Sequence, residues 1–499
     1  MINYRTAGVL MHISSLPGKY GIGVMGEEAL SFAKKLCNMG FHLWQVLPLN
    51  PVDGSGSPYC SGSAFAGNIA LIDPVGLLKA GLITEAELKE NEYDGTVYAT
   101  DYTFALEKRL ATLRKAYGRV NGDLKALIEL FAQQNKWVRD YAYFTALKAH
   151  YGEKPWWEWD EKHARYSTAL EDIDSFRDEI DFYIFTQYAF FTQWRRLKET
   201  ANSMGIRFMG DMPIYVSRDS VDVWSNTELF QINEKSLAPT LVAGVPPDYF
   251  SEDGQLWGNP LYDWDKMEKD GYKWWISRIE ASLKLYDSVR IDHFRAFASY
   301  WAVPAESKTA KVGEWIDGPG MKLFDKVKEA LGDADIVAED LGTFGEDVVK
   351  LLEDTQFPGM RVIQFGFDPN GDSTHLPHNY PKNSVAYVGT HDNNTILGWL
   401  WDAVPAERDF ALRYCCFGGT NWGDGGHHSG SCRAVTEAVW RSSAGIAIIA
   451  VQDMCGYGKD ARMNIPGTSE KNWSFRIGQQ GLDGIDEAYF REINRIYRR

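Results

Sequence analysis

The sequence lacks most of the features that define fibrous, disordered or membrane-bound proteins. No apolar run in its 499 residues approaches the ~20 residues of a membrane-spanning helix, and candidates such as 445–451 have only strand length. No stretch is dominated by one residue type, and 44% of residues are hydrophobic and 24% charged. This composition excludes collagen-like, disordered and coiled-coil chains. It predicts a globular protein of up to about three domains, or one large barrel with insertions.

Cysteine and positive charge are also scarce. Six cysteines, none in a CxxC pair, do not make a disulfide framework, which predicts a reducing compartment. Residues 1–13 lack the basic and apolar pattern of a signal peptide, so we expect a cytoplasmic protein. Lys and Arg total 52 against 68 Asp and Glu, a formal charge of −16. That balance disfavours nucleic acid or an anionic membrane as a partner and favours a neutral ligand.

The signature motifs of several enzyme classes are missing. There is no dinucleotide fingerprint, phosphate loop, HExxH or GxSxG, so nicotinamide, ATP, zinc-protease and serine-hydrolase functions lose their main support. His427 and His428 have only Asp424 nearby, and we therefore predict no metal site. Aromatic residues, in contrast, make up 14% of the chain. They could fill a large core or line a cleft for flat ligands such as sugars, and composition does not separate these two uses.

Eight short apolar runs recur along the chain, most of them ending in polar residues, and helical patterns lie between them. Continuous apolar runs of this length are typical of parallel strands buried on both faces. Their alternation with helices predicts an α/β fold, a (β/α)₈ TIM barrel, as a single catalytic barrel spanning 1–499. The runs are Gly8–Ile13, His42–Leu47, Ile206–Asp211, Ser288–Asp292, Asp335–Glu339, Arg361–Phe365, Ser384–Gly389 and Gly445–Val451.

Uneven spacing between these runs locates two insertions. Residues 50–200, after the second strand, contain a long, charged and mostly helical stretch and predict a helical insertion subdomain. Residues 238–264, before the fourth strand, are rich in Gly, Pro and aromatics and predict an irregular active-site loop. Loops at the carboxyl side of barrel strands build active sites in this architecture.

Acidic residues stand at the carboxyl ends of several predicted strands. Asp292 ends the fourth run, Glu339 ends the fifth, and Asp392 follows the seventh, while Asp211 ends the third. We expect these carboxylates to meet at one barrel mouth, where buried charges must be paired or functional. Arg290, two residues before Asp292, points to the same face of its strand and favours the charged form of that acid. Two carboxylates with different roles suit glycoside chemistry, one as nucleophile and one as acid.

Several long strings resemble the 4-α-glucanotransferase family (amylomaltase or disproportionating enzyme), glycoside hydrolase family 77 of the α-amylase clan. They occur in the family's order from residue 14 to residue 468, nearly the whole chain. The strings are SSLPGKYGIG, LWQVLPLNP, SPYCSGSAFAGN, GDMPIYV, GVPPDYFSEDGQLWGNPLYDW, RIDHFRAF, AEDLG, GTHDNNT and QDMCGYGKDARMNIPGT.

The resemblance implies roles for individual residues. Asp292 matches the nucleophile, Glu339 the general acid/base and Asp392 the stabiliser of the transition state. Tyr59 resembles an aromatic platform under the sugar at the cleavage point, and the segment with Asp248 and Trp257 matches a loop on the acceptor side. The positions that match substrate-binding residues are Tyr59, Asp211, Asp248, Trp257, Arg290, His293, His391 and Asn464.

The implied activity is transfer of an α-1,4-glucan segment to the 4-hydroxyl of another glucan, through a covalent glycosyl-enzyme and without a cofactor. The expected ligands are α-1,4-glucans and maltooligosaccharides. Two alternatives remain open at this point: an α-glucan hydrolase of the same clan, and a catalytically silent glucan-binding protein. Cys60, Ala296 and Asn394 depart from the family pattern close to the expected cleft, although none of them replaces a catalytic carboxylate.

Overall fold

The computed structural model describes residues 4–247, 252–342, 345–468 and 471–499. Within these ranges it contains twelve β-strands, eight of which coincide with the predicted apolar runs. The strands are β1 (Thr6–Leu10), β2 (Leu43–Gln45), β3 (Arg207–Met212), β4 (Leu241–Val245), β5 (Gln255–Pro260), β6 (Ser288–Ile291), β7 (Ser299–Pro304), β8 (Glu314–Asp317), β9 (Ile336–Ala338), β10 (Gly359–Val362), β11 (Ser384–Tyr387) and β12 (Ile446–Ala450).

The eight predicted strands form one parallel sheet in the order β10-β11-β12-β1-β2-β3-β6-β9. Every residue of β1, β6, β11 and β12 is buried, as is typical of parallel strands covered on both faces of the sheet. The first strand pairs with the last one, Thr6 opposite Ile446, so the sheet curls into a barrel. The predicted (β/α)₈ barrel is therefore confirmed.

The last gap in the barrel lies between β9 and β10 and is bridged differently. The amide of Ala338 donates to the carbonyl of Pro358 at 2.9 Å. Beyond this bond, the Asp340 carboxylate accepts from the amide of Met360 at 2.5 Å and from the Arg361 guanidinium at 3.0 Å. The buried side chain of Asp340 thus joins β9 to β10, where further backbone hydrogen bonds would otherwise be expected.

The described ranges contain twenty α-helices, most of them between barrel strands or in the insertion that follows β2. They are α1 (Glu27–Asn38), α2 (Pro74–Lys79), α3 (Glu85–Lys89), α4 (Tyr102–Tyr117), α5 (Gly122–Gln134), α6 (Trp137–His150), α7 (Glu161–Ala164), α8 (Tyr166–Ala169), α9 (Arg177–Ser203), α10 (Val221–Ser225), α11 (Trp264–Asp270), α12 (Lys273–Leu285), α13 (Met321–Leu331), α14 (Glu346–Thr355), α15 (Ile396–Asp402), α16 (Pro405–Tyr414), α17 (Gly430–Arg441), α18 (Val451–Met454), α19 (Gln479–Asp483) and α20 (Glu487–Tyr497).

The segment between β2 and β3 is mostly helical, and its long helix α9 supports the irregular chain that follows β2. Buried Gln187 on α9 accepts from the amide of Gly67 at 2.8 Å and donates to the carbonyl of the same residue at 3.1 Å. Gln193, also on α9, makes the same double contact with the backbone of Asp73. Two amide side chains therefore replace secondary structure in holding this part of the chain. The boundaries 50–200 for a separate subdomain stay a prediction.

The prediction of an irregular loop over 238–264 is wrong in part. This segment contributes β4 and β5 to a four-stranded antiparallel sheet in the order β5-β4-β7-β8. Gly in both strands and Pro at the end of β5 mask the strand pattern. Strand β4 nevertheless pairs with β5 and also with β7, which sequence reasoning missed. Strand β5 lies at one edge of this sheet, and three of its residues are exposed.

None of the helices in the described ranges is both long enough and apolar enough to cross a membrane.

Candidate active site

Two of the four acids predicted to meet at the barrel mouth, Asp211 and Asp292, are joined by one buried arginine. Arg290 on β6 donates to both carboxylate oxygens of Asp211 on β3, at 2.7 and 2.8 Å, and to Asp292 at 2.8 Å. Arg290 and Asp211 are 3% and 2% exposed. Burial acts to lower the pKa of Arg290, but Asp211 and Asp292 outweigh it and raise that pKa well above its usual value. The guanidinium therefore remains charged and fixes the direction of both acids.

Glu339 follows β9, the neighbour of β6 in the barrel, and lies beside Asp292. Its carboxylate accepts from the amide of His293 at 2.7 Å and from the amide of Leu341 at 2.8 Å. His293 has a positive φ of 50°, an uncommon conformation that occurs here at the contact with Glu339. Burial, followed by repulsion from Asp292, raises the pKa of Glu339 to about 7, although Arg290 opposes the shift. Glu339 can therefore hold or release a proton near neutral pH.

Asp392 is held from the opposite side of the mouth. Asn464 donates to its carboxylate at 2.6 Å, and His391 Nε2 lies 3.3 Å from the other oxygen. Partial burial acts to raise the pKa of Asp392, but His391, Asn464 and the nearby Arg290 outweigh it and lower that pKa to about 2. This carboxylate stays ionised at every pH at which the protein is expected to work.

Tyr59 contacts both Asp211, the partner of Arg290, and His391, the neighbour of Asp392. Its hydroxyl donates to Asp211 at 2.9 Å, and its ring stacks on His391 with centroids 5.2 Å apart and planes 17° apart. Asp222, at the start of α10, accepts from the amide of Ala64 at 2.7 Å and so fixes the chain that carries Tyr59. The half-buried tyrosine presents a flat, amphipathic surface of the kind that carries a sugar ring.

Trp257 approaches the site from edge strand β5. Its ring meets His293 edge-on at a centroid distance of 4.7 Å, and the side chain remains 38% exposed. Its indole N–H donates to Gln255 on the same strand. The tryptophan therefore forms part of the rim of the cleft rather than its floor. Asp248, the other site residue predicted in this segment, lies outside the described residues.

Comparison with known proteins shows the family of this chain. A model of the family described as 4-alpha-glucanotransferase matches residues 11–480. This chain belongs to the 4-alpha-glucanotransferase family.

Individual relatives extend over the whole chain. The 4-alpha-glucanotransferase of Streptococcus pneumoniae is 44% identical over 502 residues, covering 99% of this chain and 97% of that protein. The enzyme of Thermus thermophilus is 42% identical and covers 95% of each chain. The solved amylomaltase from Streptococcus agalactiae, in complex with acarbose, matches with a TM-score of 0.95 and 40% identity over 99% of each chain. The predicted family and enzyme class, a 4-α-glucanotransferase, are therefore confirmed.

Family membership and geometry together show what sequence reasoning found and missed. The predicted site residues within the described ranges form one connected group. Gln364 follows β10, the sixth barrel strand along the chain, and donates to the backbone carbonyls of Asn394 and Val388. As a polar residue at the end of a barrel strand, it could have been predicted in the same way as the acids. Arg462 and Trp473 carry no periodic signal. Arg462 donates to the backbone carbonyl of Asp392, and Trp473 packs against Tyr59.

The site brings together side chains that can act as acid, base and nucleophile. Among the described residues, no group of three or more His, Cys, Asp or Glu side chains could hold a metal ion. Arg290 supplies a fixed positive charge, Glu339 a proton near neutrality, and Asp392 a fixed negative charge. A negative charge can stabilise a positively charged transition state, whereas the guanidinium of Arg290 acts through the carboxylates that it orients.

Proposed function

We propose that this 4-α-glucanotransferase works by a retaining double displacement on α-1,4-glucans and maltooligosaccharides. The observation that carries this mechanism is the side-by-side placement of Asp292, fixed by Arg290, and Glu339, whose pKa is raised to about 7, after adjacent strands. Such a pair provides one carboxylate free to attack and one carboxylic acid able to protonate a leaving oxygen.

In the first step a carboxylate oxygen of Asp292 attacks the anomeric carbon. The glycosidic C–O bond breaks, and Glu339 gives its proton to the departing 4-oxygen, which leaves as a hydroxyl group. In the second step Glu339 takes the proton from the 4-hydroxyl of an acceptor glucan, which attacks the anomeric carbon and releases Asp292. Each step moves one proton through the same carboxyl group. The negative charge of Asp392 stabilises the positive charge that develops on the sugar ring in both steps.

The contacts of the other site residues support binding roles on this pathway. Tyr59, with His391 stacked behind it, forms a platform under the sugar at the cleavage point, and Asp211 fixes the hydroxyl of Tyr59. Trp257 lines the side from which an acceptor arrives, and its ring contacts His293, which helps to hold the sugar at the cleavage point. By similarity to the amylomaltase solved with acarbose, we also expect this chain to bind acarbose at this site.

Two alternatives are separated by what reaches the glycosyl-enzyme. A hydrolase admits water, whereas a transferase excludes it until a sugar acceptor arrives. A silent binding protein does neither, a reading that the intact set of three carboxylates disfavours. We further infer a cytoplasmic location, supported by six free cysteines, and no nucleic-acid or membrane partner, supported by the net charge of −16.

Incubation with maltotriose tests this proposal. We expect a ladder of longer oligosaccharides together with glucose, and a loss of roughly 10⁴-fold or more in Asp292→Asn, since this change removes the nucleophile without changing the size of the side chain. Glucose and maltose alone would indicate a hydrolase, and an unchanged substrate a binding protein. An Asp292→Asn variant that still makes the ladder would contradict the assignment of Asp292 as the nucleophile. A separation of ~5–5.5 Å between the Asp292 and Glu339 carboxyl groups stays a prediction.

A further inference from the structure

Trp473 has an unusual backbone conformation beside the site. Its φ is +63°, in the left-handed region that bulky residues rarely adopt. Its amide donates to the carbonyl of Met463 at 2.7 Å, so the chain folds back and its two arms meet at these residues. Strained residues persist only where the surroundings hold them, and they concentrate at functional sites.

The ring of Trp473 contacts both members of the sugar platform. Its centroid lies 5.4 Å from Tyr59 and 5.8 Å from His391, at angles of 39° and 38° to their planes. The side chain is 8% exposed, so it is placed to back these rings rather than to present a surface to a ligand. Three rings in mutual contact leave the tyrosine little freedom to tilt.

The other arm, residues 462–464, holds the neighbouring carboxylate of Asp392. Asn464 donates to the side chain of Asp392, and its amide donates to the carbonyl of His391 at 3.0 Å. Arg462 donates to the backbone carbonyl of Asp392 and, at 2.7 Å, to that of Asn464. One segment therefore controls the position of Asp392 with its first arm and that of the aromatic pair with its second.

We propose that Trp473 is a positioning residue that fixes the Tyr59–His391 stack at the height required by the sugar at the cleavage point. The proposal rests on the function proposed above. Trp473 acts through Tyr59, so its removal tilts the platform while every group that touches the substrate remains present. Displacements of about 1 Å in such positioning elements reduce rates by as much as ~100-fold.

Trp159 offers a matched control. It is also nearly buried, its indole N–H donates to the carbonyl of Lys154 at 2.9 Å, and its ring stacks on Tyr151 with planes 15° apart. It lies in the helical segment between β2 and β3, and its ring contacts are with residues of that region and of α10. Replacing it removes a similar amount of buried aromatic surface without touching the platform.

The decisive experiment is a double-mutant cycle with Tyr59→Ala and Trp473→Leu, measured as kcat for maltotriose transfer and as the dissociation constant of acarbose by calorimetry. We expect Trp473→Leu to lower kcat by roughly 10- to 100-fold and to weaken acarbose binding by about tenfold. In the Tyr59→Ala background the same change should alter neither value by more than about twofold, because the stack that Trp473 positions is already lost. Trp159→Leu should lower Tm but leave both values within about twofold.

Additive losses in the cycle, or equal losses in Trp473→Leu and Trp159→Leu, would overturn the positioning role and leave Trp473 as a packing residue. If Trp473→Leu does not fold, Trp473→Phe takes its place in the same cycle with a smaller expected loss and the same criterion. The wild-type enzyme and Asp292→Asn are measured in parallel. A wild type that makes no ladder defeats the proposed function, whereas additivity with an active wild type defeats only this inference.

Discussion

The acid cluster of Asp211, Arg290 and Asp292 is held differently from the rim strand β5, whose Trp257 contacts His293 next to that cluster. Arg290 and Asp211 are almost completely buried and make charge-assisted hydrogen bonds of 2.7–2.8 Å. Trp257 is 38% exposed on an edge strand, with one side-chain hydrogen bond to a residue of the same strand. The charged groups of the cluster are therefore fixed in place before the reaction, whereas the rim can adapt to different acceptors.

Arg290→Leu should produce the largest effect, because it removes the buried positive charge that holds Asp211 and Asp292 in place. The change leaves Asp211 buried and unpaired, which costs roughly 3–5 kcal/mol of unfolding free energy, and it removes the group that orients Asp292. We expect near-complete loss of maltotriose transfer and a clear shift in the urea midpoint.

Arg207→Leu is the matched control for this prediction. Its partner Asp335 lies at 2.9 Å, but both side chains are nearly half exposed. Exposed pairs contribute about 0–1 kcal/mol, so stability and transfer should change little. Equal destabilisation in the two variants would show that burial does not distinguish the two pairs.

The pH dependence of the enzyme should follow Glu339, the second largest effect. Burial raises its pKa to about 7, so the acid is protonated below that pH and loses its proton above it. The value of kcat/KM for maltotriose should therefore fall as the pH rises through about 7. In Glu339→Gln, assayed with an activated donor whose leaving group needs no proton, this basic limb should disappear. A limb that persists unchanged would identify another titrating group.

The same pKa shift has a consequence for stability, and its sign can be checked. The folded pKa of Glu339 lies above its ordinary value of 4.5, so the folded protein disfavours the ionised carboxylate. Glu339 therefore reduces the free energy of unfolding as the pH rises from about 4.5, with the full effect above about 7. Relative to wild type, Glu339→Gln should gain stability at pH 8 and show no such gain at pH 4, as measured by urea unfolding at both values.

Trp257→Ala should have the smallest effect and should be confined to the rim. Loss of the exposed indole exposes the glycosyl-enzyme to water and weakens acceptor binding by roughly 1–3 kcal/mol. The ratio of long oligosaccharides to new reducing ends should fall while Tm stays unchanged. Trp315→Ala, at a 44% exposed position on β8 of the same sheet, should leave the ratio unaltered. An equal loss of transfer and hydrolysis with a lower Tm would make Trp257 a packing residue.

The parts of the fold that sequence predicts are those where one physical rule decides locally. Strands buried on both faces are mostly apolar, which is why β1 and β12 stood out, and polar residues at the ends of strands locate Asp292 and Glu339. The small sheet was missed because β4 and β5 contain Gly, β5 ends in Pro, and β4 pairs with the distant β7. Trp473 was missed for a related reason, since its role depends on contacts with chain more than 80 residues away.

The pairing of β1 with β12 also bears on how the chain folds. Thr6 and Ile446 are neighbours in the sheet although 440 residues separate them. During synthesis at about 5–20 residues per second, one edge of β1 would wait roughly 20–90 s for its partner. Contacts of such long range slow folding, because the chain must close a large loop before the contact stabilises anything. The edge of β1 that awaits β12 is therefore the region where we expect nascent chains to need protection from aggregation.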